Sequence, residues 1–145
     1  MTLFEPPEFI HDFSSCERCY ATLCIYHQDV SPNDITNTLS VQPSREQRVG
    51  GKLRKNRVVN LNGWFLTSEG DVDSKDVRAH IWHLIKKIEN KGDALKNMIE
   101  RGHEIRMTCL WESASGNGGP IIDIKTMAAL SALQIELDFD IWFSG

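Results

Sequence analysis

No apolar run in this 145-residue chain approaches the roughly 18 to 20 residues needed to cross a bilayer as a helix. The first residues, Met1, Leu3, Phe4 and Glu5 among them, lack the basic flank and apolar stretch of a secretory leader, so the expected compartment is the cytoplasm. Cysteine is sparse, at Cys16, Cys19, Cys24 and Cys109, and without an export signal reduced thiols are expected rather than disulfides. A positive charge excess is missing too. The net charge of −4 argues against a generally basic, nucleic-acid-binding surface. No glycine spacing fits a phosphate loop, no glutamate stands in zincin spacing to a histidine pair, and no repeat is strict enough to indicate duplication.

What is present is an ordinary globular composition, with 41% hydrophobic residues. The length suits one compact domain over residues 1–145, whereas two halves would each be marginal. Residues 1–15 carry prolines and unperiodic apolar side chains, and are expected to form an irregular arm. The core is expected to centre on Leu61 to Ile88. A strand at about Val58 to Ser68 includes Trp64, Phe65 and Leu66, and a helix follows with Val77, Ile81, Leu84, Ile85 and Ile88 on one side. Asp73 is a candidate cap for that helix, with Asp76 three residues later near its positive end.

Alternation of apolar and polar residues predicts an early strand at Cys19 to His27, with Ala21, Leu23 and Ile25 on one face. Ser31, Pro32, Asn33 and Asp34 then read as a capped helix start, for a short helix at about 32–40. After the long helix, a second piece is expected from about Asp93 to Arg101 and a strand from Glu104 to Trp111. Ile121 to Ile124 is a candidate short strand, before a helix that ends at Leu133 and whose apolar side is Ile124, Met127, Ala128 and Leu130. In the last strand Ile135, Leu137, Phe139, Ile141 and Phe143 alternate with Gln134, Glu136, Asp138, Asp140 and Trp142. These elements predict an α+β fold, a mainly antiparallel or mixed sheet of four to five strands packed against helices.

Two stretches stand out as contact surfaces. Between Arg45 and Arg57 six basic residues, Arg45, Arg48, Lys52, Arg54, Lys55 and Arg57, face one acidic residue, in an interval whose Gly50 and Gly51 suggest a loop. No aromatic residue interleaves them, so a protein contact fits better than base stacking. On the last strand, Trp142 shares its register with Glu136, Asp138 and Asp140, and an indole among polar groups can anchor an interface. Residues two apart on one strand face lie about 7 Å apart, too far for three carboxylates to clasp one small ion unaided.

Chemistry-bearing groups are thinly spread. Cys16 and Cys19 have metal or thiol-exchange spacing, but no second pair completes a zinc site; Cys24, His11 and Cys109 are the only evident recruits, and no metal or cofactor is expected. His80 and His83 fall three apart on the long helix. Noncatalytic protein binding is the expected function. Its rival is a small metal-dependent hydrolase, which requires His80 and His83 to converge with Glu136, Asp138 or Asp140.

Taken in order, the early strand, Ser31-Pro32-Asn33-Asp34-Ile35-Thr36 with Leu39, the Pro43-Ser44 turn, the glycine and basic loop, Trp64-Phe65-Leu66-Thr67-Ser68, His80 and the terminal strand resemble the bacterial domain-of-unknown-function family DUF4279. The resemblance runs from about Tyr20 to Phe143. It implies no catalytic residues. Small bacterial domains of this kind occur as accessory or toxin-neutralising proteins, so it also implies an immunity-type binding role with an unidentified protein partner.

Overall fold

The computed structural model describes residues 3–51 and 58–143. Its elements are β1 (Cys16–His27), α1 (Pro32–Leu39), β2 (Arg45–Gln47), β3 (Asn62–Thr67), α2 (Val77–Ile88), α3 (Gly92–Glu100), β4 (Glu104–Ser113), α4 (Ile124–Ala132) and β5 (Glu136–Trp142), with a 3-10 turn at Glu89–Lys91 between α2 and α3. The strands form one mixed sheet in the order β2-β3-β1-β4-β5. Every neighbouring pair is antiparallel except β4 and β5, which run parallel through the crossover helix α4. The expected α+β class, with a mixed sheet of five strands packed against helices, is what the chain forms.

All four helices pack on one side of the sheet. Ala21, Leu23 and Ile25 of β1, Trp64 and Leu66 of β3, and Ile105, Met107, Cys109 and Trp111 of β4 join one buried cluster with the apolar side chains of α1 to α4. Trp64, Trp82 and Trp111 are fully buried within it. Indole N–H groups cost free energy if buried unpaired, and two of the three are satisfied: Trp64 Nε1 donates to Thr36 Oγ1 at 3.0 Å and Trp82 Nε1 to Thr126 Oγ1 at 2.9 Å. The arm at 3–15 has no helix or strand, yet Phe4, Phe9 and Phe13 pack against the cluster.

Several local expectations are corrected. Asp76, not Asp73, caps α2, its side chain accepting the Arg78 N–H at 3.0 Å. The preceding residues are held elsewhere: Lys75 N–H donates to His11 O and Ser74 O takes a bond from His80. Strand β3 is shorter than Val58 to Ser68, and Arg45–Gln47, expected in a loop, adds an edge strand beside it. Ile121 to Ile124 forms no strand. Strand β1 starts earlier, at Cys16, with a register shift between Cys16 and Arg18. Residues three apart on a regular strand face opposite sides; the shift turns both Cys16 and Cys19 into the core.

The long helix lies across β1, and Ile81 at its centre is completely buried. Ile81→Asp would place a carboxylate among apolar side chains and is expected to cost about 4 kcal/mol or more. Urea unfolding checks it: the cooperative transition should be lost or its midpoint greatly reduced, and an unchanged midpoint would contradict this packing.

Candidate binding surface

Among the described residues every helix lies on one side and no element covers the other face of the sheet, and strand register sets what that face displays. One row crosses it as Arg45, Phe65, Cys24, Arg106 and Glu136; the next runs Thr67, Thr22, Thr108 and Asp138. Tyr20, Leu110 and Asp140 make a third row, and Arg18, Glu112 and Trp142 a fourth. Trp142 therefore stands with the carboxylates, as its register predicted, and is 56% exposed.

The middle of this face is stiffened by stacked rings and guanidinium groups. Arg45 lies 4.1 Å from the Phe65 ring centre, Phe65 meets Tyr26 edge-on at 5.5 Å, and Arg106 lies 5.2 Å from the Tyr26 ring. Such contacts contribute about 0.5–1.5 kcal/mol each for ring pairs and about 0.5–1 kcal/mol for exposed cation–ring pairs. Gly63 permits the arrangement. A Cβ there would sit 2.8 Å from Phe65 Cζ and 2.9 Å from Gln47 Cγ. Arg106 also reaches Glu104 at 3.4 Å and Asp138 at 3.8 Å, while Arg18 reaches Glu69 at 3.4 Å and Glu112 at 3.6 Å.

The two expected contact stretches are only partly comparable. Arg45 belongs to the uncovered face, but Arg48 turns to the start of α1, donating to Ser31 Oγ and Asn33 Oδ1 and pairing with Glu46. Lys52, Arg54, Lys55 and Arg57 lie outside the described residues. On β5 the expected inward row fades toward the end of the strand, since Ile141 and Phe143 are exposed. The cause is the position of β5 at the sheet edge. On α4, Ile124 and Met127 are also exposed, whereas Thr126, Ala129 and Leu130 are buried. Asp123, capping through Thr126, and the Trp82–Thr126 bond set that rotation.

The hydrolase constellation does not assemble. His80 is buried on the helix side of the sheet, whereas Glu136, Asp138 and Asp140 project from the opposite face. Both ring nitrogens of His80 are occupied. Because a carbonyl can only accept, Nε2–H donates to Ser74 O at 2.8 Å, which leaves Nδ1 to accept from Ser68 Oγ at 2.7 Å. Ser68 in turn accepts the Ala21 N–H at 2.9 Å. The serine–histidine contact has the reach of a nucleophile and base, but Ser68 has no solvent exposure. The chain of bonds ties α2 to β1. His83 instead points toward Asp71, at 3.5 Å. Among the described residues no three His, Cys, Asp or Glu side chains are grouped as a metal ion would require. Cys16 and Cys19 are free and buried, and burial pushes both thiols up in pKa, away from the reactive thiolate.

A concavity of about 540 Å³ lies between α1 and α3, lined by Ile35, Thr38, Met98, Arg101 and His103 among others. None of the candidate residues named from the sequence lines it. His103, a lone histidine between a glycine and a strand, carries no spacing signal in the sequence; its Nδ1–H donates to Met98 O at 2.9 Å, and its ring lies 4.4 Å from that of His27.

A five-stranded sheet with helices on one face and a charged, aromatic face left open defines a one-sided α+β domain. The family described as "Domain of unknown function (DUF4279)" matches residues 17–144, and the chain belongs to it. No curated protein and no solved structure matches the chain. Among the described residues no helix is long and apolar enough to cross a membrane.

Burial lowers the pKa of His80 and of His103, so both stay neutral in the folded protein at pH values where the unfolded chain takes up protons. Their contribution is full above the unfolded value of about 6.5 and is lost as pH falls through the lower folded value. The urea midpoint is expected to fall between about pH 7 and pH 5. His80→Gln should lower the midpoint at neutral pH and flatten that decline; an unaltered pH dependence in the variant would contradict the assignment.

Proposed function

We propose that this is a noncatalytic protein-binding domain whose uncovered sheet face, toward the β5 margin, receives a partner with a basic surface. The observation that carries the reading is Trp142, an indole 56% exposed beside Asp140 and across from Glu112. Exposed aromatic anchors with polar surroundings are the residues that most often dominate interface energies. Carboxylates at Glu136, Asp138 and Asp140 steer a cationic partner and discourage acidic ones. Arg45, at the far side of the face, adds a contact of opposite sign.

An immunity-type role, in which the domain neutralises a toxin by covering it, is one form of this function. It draws on family analogy, and the surface chemistry is compatible with it because neutralisation needs only tight, selective binding. A cytoplasmic setting is supported by four free, buried cysteines, which such a reducing compartment preserves.

The test compares proteins captured from the native cell extract by the original domain and by Trp142→Ala and Asp140→Lys variants, each shown to be folded by circular dichroism. Loss of an interface anchor typically costs about 2 kcal/mol, or about 30-fold in affinity, mostly through faster dissociation. A specific partner retained by the original and lost by both variants is the expected result. Equal retention by all three proteins would overturn the reading.

A further inference from the structure

We infer that β5 accepts an extended, basic segment of a partner protein as an additional strand of the sheet, an inference that rests on the protein-binding reading and specifies its mode. The sheet has two ends, and they differ. Strand β2 spans three residues, too few to template a stable pairing, whereas β5 spans seven. Among the described residues strand β5 pairs only with β4, in unbroken register from Glu136 to Trp142. In such a parallel ladder alternate residues turn their N–H and C=O groups away from the neighbour. Among the described residues no backbone group of Glu136–Trp142 bonds outside that ladder.

Edge strands are commonly blunted by proline, charged side chains, a bulge or a short length. Strand β5 has no proline or bulge and is not short, so charge is the one such device it has. What it carries is a row of carboxylates at alternate positions, Glu136, Asp138 and Asp140, and this selects the occupant. A second copy of β5 laid alongside would bring carboxylates next to carboxylates, which is unfavourable for cross-strand neighbours. A strand with lysine or arginine at every second position reverses the sign of each of those contacts.

The apolar part of the recognition is at the strand's far end. Ile141 and Phe143 emerge on the helix side and Trp142 on the open side, all exposed. Because α4 connects two parallel strands, it runs back against β5, and its first turn lies toward this same end; Ile124 there is 79% exposed and Met127 51%. An added strand thus meets backbone groups along its length, carboxylates on one face and an apolar corner at one end. Strand addition of this kind takes affinity from main-chain bonds and specificity from alternate side chains.

The probe is a synthetic peptide alternating lysine and valine, labelled for fluorescence polarisation at low salt. Three comparisons accompany it: the same peptide N-methylated at alternate amides, a glutamate–valine counterpart, and the original peptide against an Asp138→Asn/Asp140→Asn variant. The lysine–valine peptide is expected to bind and to slow amide exchange in Glu136–Trp142. N-methylation or the change of charge should weaken it about tenfold or more, and the double variant several-fold. Equal binding by the N-methylated peptide would overturn strand addition, since charge and side chains alone would then suffice. Absence of binding by any peptide would overturn it as well. In either case loss of a native partner by Trp142→Ala would still uphold the face-binding reading, so the two failures are distinguishable.

Discussion

The seating of α2 on β1 is the constraint on which the rest of the structure depends. At the start of α2, Asp76 accepts bonds from the Arg78 guanidinium at 2.8–3.2 Å and from the Ile10 N–H at 2.8 Å, with both charged side chains almost fully buried. Burial alone would raise the Asp76 carboxyl; the Arg78 bonds and backbone donors outweigh it and hold the pKa below its ordinary value. Arg78 also reaches Asp123 at 3.5 Å and Glu8 O at 3.3 Å, so one cation links the arm, α2 and the start of α4. Removing one member of such a pair costs about 3–5 kcal/mol, because the other is left charged and unpaired. One turn further on, the bonds from His80 to Ser68 and Ser74 fix the helix against β1 and the end of β3.

Fixing α2 decides which side of the sheet is core. The crossover helix α4 follows it to the same side through the Trp82–Thr126 bond, and α1 follows through Trp64 and Thr36. The opposite face must then keep itself ordered without a covering layer. It does so through the Arg45–Phe65–Tyr26–Arg106 stack and the ion pairs of Arg18 and Arg106, while Trp142 stays exposed on its β5 side.

Much of this organisation was readable from local patterns. Alternation located β1, β4 and β5, helical spacing located the stripe of α2, and the register of Trp142 with Glu136, Asp138 and Asp140 followed directly from a period of two. What local pattern does not encode is the position of a strand within the sheet. Alternation in β5 looks the same whether the strand is central or at an edge, so Ile141 and Phe143 read as core. The rotation of α4 is not legible in its apolar spacing because it is set by Asp123 and Thr126, polar residues whose partner Trp82 is distant in sequence. Arg45–Gln47 has no apolar alternation at all and joins the sheet only because β3 supplies an edge. The separation of His80 from the β5 carboxylates likewise needed the side of the sheet on which α2 lies.

Surface and scaffold are thus two consequences of one arrangement, with buried polar bonds holding the helices to one side and an exposed indole, carboxylates and strand edge left on the other. Amide hydrogen exchange, measured on the domain alone and bound to a partner recovered from its own cell extract, tests this most directly. Slowed exchange is expected at β5 and in the adjoining residues of β4, with α1 and α3 unaffected. Slowed exchange confined to the α1–α3 concavity, with β5 exchanging as in the free protein, would contradict it.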